Sequence, residues 1–223
     1  MRLLKRLFRE RPVEFTDRIW STTDQKLDDL VAQIRGCQRI GGRPIAVAHF
    51  ETTRQRVLES FRKSGLTAQV VSSPSQFLFQ AVSLQEPGDA IPLLASDAIP
   101  PAVHRVESIH SLPVSHTPVS VHLAEHYPIA SRDQVVLTLA TIWSCQIEFA
   151  CYTALDEPWL APFGMERVRS LLERLRLDEG AALTHPTLHR ALLKAQQRIG
   201  DQIAHEQRCD SCEEWMRCNL GKS

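Results

Sequence analysis

This chain has no excess of charge: 26 Lys and Arg balance 26 Asp and Glu over 223 residues. The balance removes any general drive toward nucleic acid. Long apolar runs are also missing. The longest, Val135 to Trp143, falls well short of the ~20 residues that cross a bilayer. The apolar part of the N-terminus is broken by charge after two residues, so no secretory leader is visible. No G-x-x-x-x-G-K-S/T occurs, and with it goes the glycine-rich loop that cradles phosphates. No G-x-S-x-G marks a serine nucleophile, and spacing alone brings no Cys/His pair together. Internal repeats and low-complexity stretches are absent.

What remains is an ordinary globular composition, 43% hydrophobic and 23% charged. The length suits one domain, or one domain with a helical extension. The six cysteines are Cys37, Cys145, Cys151, Cys209, Cys212 and Cys218. In a chain of this size without a leader they imply a reducing cytoplasm, where most serve as small apolar side chains.

Residues 1–12 form a basic segment. Arg2, Lys5, Arg6, Arg9 and Arg11 face a single acid, Glu10, while Leu3, Leu4, Leu7 and Phe8 share one helical side. Such a segment (1–11, before Pro12) suits weak contact with an anionic membrane surface. The plainer alternative packs Leu7 and Phe8 on the body. Thr22-Thr23-Asp24 then opens a helix over about Gln25 to Gln38, with Leu27, Leu30, Val31 and Ile34 inward. Arg43 to Phe50 is nearly all apolar, the pattern of a central strand buried on both faces. Thr52-Thr53 starts the next helix, which turns Val57, Leu58 and Phe61 inward and ends at Gly65. Strands are expected near 45–50, 66–71, 91–95, 119–124 and 145–152, with a short helix around Phe77 to Val82. Ser131 is placed to cap a helix reaching Trp143. Asp156-Glu157-Pro158 would put acids and a proline in a helix's first turn. From Pro186 the pattern is helical to the end. The alternation of helices and strands predicts an α/β fold with a mixed, mostly parallel sheet and right-handed crossovers.

Two histidine groups raise the question of metal. His104, His110 and His116 recur in the proline-rich stretch 96–118, where spacing says little about geometry and solvated loop histidines are the plainer reading. His205, Cys209 and Cys212 would share a helical face, with Cys218 beyond. Cys-x-x-Cys beside a histidine suits zinc, but a fourth ligand of the usual kind is missing. The competing reading packs this face on the body, with Met216 extending the stripe.

Asp156 to Leu177 resembles the C-terminal motor region of SecA, the ATPase that drives preproteins across membranes. The matching residues are Leu155, Asp156, Glu157, Leu160, Phe163, Gly164, Arg167 and Leu175. Downstream, Asp178-Glu179, His185-Pro186, Arg190-Ala191 and Ala195-Gln196 are similar to the approach to that family's long scaffold helix. Upstream, Thr22, Lys26 and Gly42 to Val47 resemble the entry into its second nucleotide-binding domain, and Glu125-His126 an acidic–basic–His stretch after a strand. The resemblance covers roughly residues 15–200, with 72–117 unmatched. It implies a RecA-like, P-loop NTPase-like domain over 13–155, a helical scaffold-like region over 156–223, and a role in protein translocation.

The departures bear on activity. Nothing in the chain resembles the first motor domain, with its phosphate loop and magnesium-binding acids. The family's arginine motif falls on Leu137 to Ser144, which holds no cation, and its glycine- and arginine-bearing segment falls on Ala95 to Pro100. A hydrolase of this type needs cations against the terminal phosphate. Val136, Leu139 and Ile142 would fill core where arginines once faced a ligand. The resemblance therefore assigns no catalytic, cofactor-binding or metal residue. It implies a cytoplasmic protein at the inner membrane face that binds a translocation component or a preprotein, and no nucleic acid. A subunit of a split ATPase, with the phosphate loop on another chain, and a zinc-stabilised regulatory module unrelated to secretion stand as alternatives.

Overall fold

The computed structural model describes residues 14–80, 88–100, 117–142, 147–164 and 181–221. The fold grows around β2 (Arg43–Ala48), which is buried at every position. Its apolar run has no solvent-facing side because strands flank it and helices cover both faces. Six described strands form one sheet in the order β1-β6-β5-β2-β4-β3. The other five are β1 (Thr16–Trp20), β3 (Thr67–Val71), β4 (Ala90–Ala95), β5 (Val119–Leu123) and β6 (Ile147–Ala154). Every pairing between the six described strands is parallel, so they do not form a mixed sheet.

Helix α1 (Thr23–Arg39) begins as its sequence predicts. The Thr22 hydroxyl accepts from Gln25 N and the Gln25 side chain reaches back to Thr22 N, a reciprocal cap. Helix α2 (Glu51–Lys63) ends on Gly65, whose φ of 68° is the left-handed turn expected there. Gly42 is required for a different reason: a Cβ would meet Cys37 Sγ at 2.7 Å. Leu27, Leu30, Ile34, Val57 and Phe61 of these helices pack on Ala46, Leu93 and Tyr152, on one face of the sheet. The other face carries α3 (Pro74–Gln80), α4 (Ala130–Leu137) and α5 (Leu139–Ile142), with Phe77, Val136 and Leu139 against Ile45, Val47, Val121 and Phe149. Burying each such side chain is worth about 1.5–3 kcal/mol. Val136 and Leu139 are fully buried and lie in the core. The side chain of Ile142 lies outside the described residues.

A third apolar cluster sits over the carboxyl ends of the strands. It joins Ile19, Phe50, Tyr127 and Trp159 to Leu192 and Ile199 of α6 (Pro186–Gly200) and Trp215 of α7 (Cys212–Leu220). The tail thus packs on the carboxyl end of the sheet. No described helix is long and apolar enough to cross a membrane.

Several expectations are corrected. Strand β1 was not anticipated; its inward residues include the acid Asp17, which hides the apolar alternation. Ser131 does not cap α4, which starts at Ala130 after Ile129 with no side-chain cap. The helix breaks at Thr138, whose hydroxyl turns back to Val135 O at 2.6 Å. Asp156 and Glu157 precede a 3-10 turn (Pro158–Phe163) and bond elsewhere. The tail is interrupted between α6 and α7, so His205 and Cys209 are not on a helix and share no helical face with Cys212. The basic segment 1–11, the His104/His110/His116 stretch, Cys145 and the residues 165–180 lie outside the described residues.

Candidate functional site

In an open parallel sheet, ligands bind where neighbouring strands send their connections to opposite faces. Here that point lies between β2, which leads to α2 on one face, and β5, which leads to α4 on the other. Two polar constructions occupy it.

The first is built on the start of α2. The opening amides of a helix have no partners within the helix and, with the helix dipole, attract anions. In this chain some of the donors at this end already have partners. Phe50 N donates to Glu125 Oε1 at 3.0 Å, the Thr53 hydroxyl donates to Glu125 Oε2 at 2.5 Å, and Thr52 N donates to Asp210 O at 3.1 Å. Glu125 is the second residue beyond β5 and is buried. Nearby, Lys26 Nζ meets Glu157 Oε1 at 2.6 Å, and Glu157 also accepts from Trp159 Nε1 and Ala154 N. Burial pushes the Glu125 pKa up, although Lys26 and the Thr53 hydroxyl oppose it. Burial opposes the charge on Lys26 as well, yet Glu157 and Glu125 hold its pKa above the usual value. A cleft of about 460 Å³ opens here, bearing Glu125, Asp156, Glu157 and Glu213 against Lys26 and Arg56. Among the ionisable carboxyl and basic side chains of its lining, four acids stand against two cations.

The second construction is a chain of alternating imidazoles and carboxylates. Ser96 Oγ lies 2.9 Å from His49 Nδ1, and His49 Nε2 lies 2.8 Å from Asp133 Oδ1. Asp133 Oδ2 lies 2.6 Å from His126 Nδ1, His126 Nε2 lies 3.0 Å from Asp17 Oδ1, and Asp17 Oδ2 meets His189 Nδ1. Asp133 also accepts from Tyr127 N at 2.9 Å and from the Gln196 amide at 2.7 Å. Burial alone would lower the His126 pKa, but the anionic surroundings, Asp133 and Asp17 included, hold it well above 6.5. A protonated His126 donates from both ring nitrogens, one to each carboxylate. Burial would raise both aspartates, yet the neighbouring histidines hold Asp133 and Asp17 below the usual carboxylate range. His126 and Asp133 are buried, as is Asp17 in the edge strand; only His189 reaches solvent, with 30% of its side chain exposed. The chain therefore ties β1, the ends of β2, β4 and β5, α4 and α6 into one unit.

A serine, a histidine and an aspartate do adjoin in this array. Ser96 is buried, however, and the His49 side chain is 0% exposed, so a substrate has no approach to the hydroxyl. Cys151, beside His126, is likewise sealed, and burial pushes its thiol up to about 12. Close by in β5, His122 bonds to Tyr152 Oη and Ser120 Oγ, and burial lowers its pKa to about 4, keeping it neutral.

Of the residues singled out by sequence, Glu125 and His126 lie at the centre of these constructions, and Ser96, within the segment Ala95 to Pro100, is part of the imidazole chain. Asp97 instead pairs with Arg208 at the surface. The tail cysteines divide. Cys209 and Cys218 gather with Glu214, whereas Cys212 lines the cleft beside Glu125 and Glu157. His205 is exposed and joins neither group. Sequence reasoning missed Asp17, His49, Asp133 and His189. The one signal available was a polar residue, His49, ending the apolar run of β2.

Comparison with known proteins gives a local likeness. No protein-family profile matches the chain. Over 48 residues, 22% of its length, it is 44% identical to the protein translocase subunit SecA of Afipia carboxidovorans. Over stretches of the same length it is 40% identical to that of Dechloromonas aromatica and 42% identical to that of Bradyrhizobium diazoefficiens. In each case the matched stretch spans 5% of the relative's own length. A segment of this chain is therefore related to SecA.

Proposed function

We propose that this chain is a SecA-related binding or accessory protein linked to protein translocation, and that its motor-like domain does not hydrolyse nucleotide. The observation that carries the reading is the buried Glu125 carboxylate, which accepts from Phe50 N and the Thr53 hydroxyl at the start of α2. A phosphate brought to that end of the sheet would have to displace a buried carboxylate, and would meet Asp156, Glu157 and Glu213 as well. The only buried cation in the cleft, among its described lining, is engaged by Glu157. Electrostatics of this sign disfavour a transferring phosphoryl group. They disfavour the split-ATPase alternative equally, since a loop on another chain would still face these acids.

In this reading residues 13–155 form the motor-derived domain, 156–223 the scaffold-derived part, and 1–11 a weak membrane-surface contact that keeps a cytoplasmic protein near the inner face. The partner is a protein, either a component of the translocation machinery or a preprotein. Two measurements test the reading. Millimolar ATP or ADP with magnesium should leave the melting temperature unchanged, whereas a rise of several degrees would show a nucleotide site and overturn the first half. Binding assays of the full chain against purified translocase motor, membrane channel and an unfolded preprotein should give a saturable complex with at least one. Failure with all of them would remove the second half.

A further inference from the structure

We propose that Cys209 Sγ, Cys218 Sγ and a carboxylate oxygen of Glu214 form a binding site for one thiophilic divalent cation of the zinc class, its fourth position taken by water or an outside donor. The three donor atoms lie within 4.8 Å of one another. A tetrahedral ion with metal–sulfur bonds of ~2.3 Å sets its sulfurs ~3.8 Å apart, so small side-chain rotations close the site. Two thiolates and one carboxylate match the donor set that zinc prefers over magnesium or calcium.

The backbone that carries these donors is held in place. Glu214 and Cys218 are one turn apart on α7 and share a face. Ser211 caps that helix, its hydroxyl accepting from Glu214 N at 3.1 Å, and Trp215 anchors it with 0% exposure. Cys209 precedes the helix in a loop clamped back onto it. Gln207 N donates to Asn219 Oδ1 at 2.7 Å, and Asn219 Nδ2 donates to Gln207 O at 2.8 Å. That clamp folds Cys209 over Cys218. All three donors are half-buried, so an ion can enter from solvent. Glu214 has one competing contact, an exposed pairing with Arg217 at 3.7 Å, which holds it weakly. Cys212 takes no part, because it lines the cleft with Glu125 and Glu157 and is not among the three converging donors. Loading releases one proton from each thiol to solvent, so affinity rises with pH.

The test uses the full chain under a phosphine reductant, with cobalt(II) as a coloured probe and zinc(II) as competitor. One cobalt per chain should bind with a thiolate charge-transfer band that zinc abolishes. Cys209→Ser and Cys218→Ser should each remove the band, Glu214→Gln should weaken cobalt binding about tenfold or more, and Cys212→Ser should leave it intact. Zinc should also shield Cys209 and Cys218 of the unmutated chain from alkylation, which needs no variant to fold. A wild-type chain without the band, a band surviving in the Cys209→Ser/Cys218→Ser double variant, loss of the band in Cys212→Ser, or shielding of other thiols would each overturn the proposal.

Discussion

The crevice at the carboxyl ends of the strands and the tail loop of residues 205–218 both collect chemistry-bearing side chains, and they treat them in opposite ways. In the crevice each buried acid meets donors. Glu125 is answered by Phe50 N and Thr53, Glu157 by Lys26 and Trp159, and Asp133 by His49, His126, Tyr127 and Gln196. In the tail, two thiols and a carboxylate converge half-exposed, with only weak calls on them. Burial explains the contrast. A buried charge without partners costs several kcal/mol, so the crevice has closed on itself, whereas a solvated donor is inexpensive to leave open. The carboxyl end of the sheet is internally paired, whereas the tail leaves its donors open.

Breaking the crevice should have the largest effect. Asp133→Ala would strip His126 of one counter-charge and leave Tyr127 N without its acceptor; equilibrium urea unfolding should register a loss of about 3–5 kcal/mol. Acid comes next. Asp17 and Asp133, held low in the fold, contribute stability that is complete above the unfolded value near 4 and is lost as pH falls through their folded values. His126, held high, contributes stability that is complete below about 6.5 and is lost as pH rises through its folded value. His122 works against the fold in acid: with a folded value of about 4, it stays neutral while the unfolded chain takes up the proton. Between pH 6.5 and 4 this should erode stability by up to ~3 kcal/mol. Melting temperature against pH should show that decline, and His122→Gln should flatten it.

Glu125→Gln sharpens the comparison at smaller scale. It retains one acceptor but turns an amide toward the other donor and removes a counter-charge from Lys26, for an expected loss of about 1–3 kcal/mol by urea unfolding. A Glu125→Gln protein as stable as the wild type would show that the carboxylate does not hold the start of α2. The tail should respond least. Without metal, Cys209→Ser should move stability by no more than ~0.5 kcal/mol, as for a change away from core and caps. A larger shift would place the tail thiols among the structural groups and erase the contrast.

Much of the fold could be read along the chain because local and global demands agree there. The RPIAVA run of β2, the Thr22 cap of α1 and the Gly65 stop of α2 each carry their own signal. Strand β1 does not, since Asp17 is buried only because His126 and His189, far along the chain, meet it. The same reason hides most of the site. Asp17, His49, Asp133 and His189 have no mutual spacing, and only the sheet's parallel crossovers bring them together. Glu125 and His126 were visible through the family likeness of a post-strand stretch. The Cys-x-x-Cys spacing did not show how the thiols divide: Cys209 gathers with Glu214 and Cys218, whereas Cys212, where α7 begins, lines the cleft.

The pairing of β1 has a consequence for the order of events during synthesis. This strand precedes the other five described strands, yet its neighbour β6 comes more than a hundred residues later, and its outer edge is met by Leu183 through two backbone bonds of 3.1 and 2.9 Å. Its acid then waits for His189. The earliest of the six described strands is thus among the last of them to find its place, and until the residues around Leu183 and His189 are translated its edge stays open to chaperones or to neighbouring nascent chains.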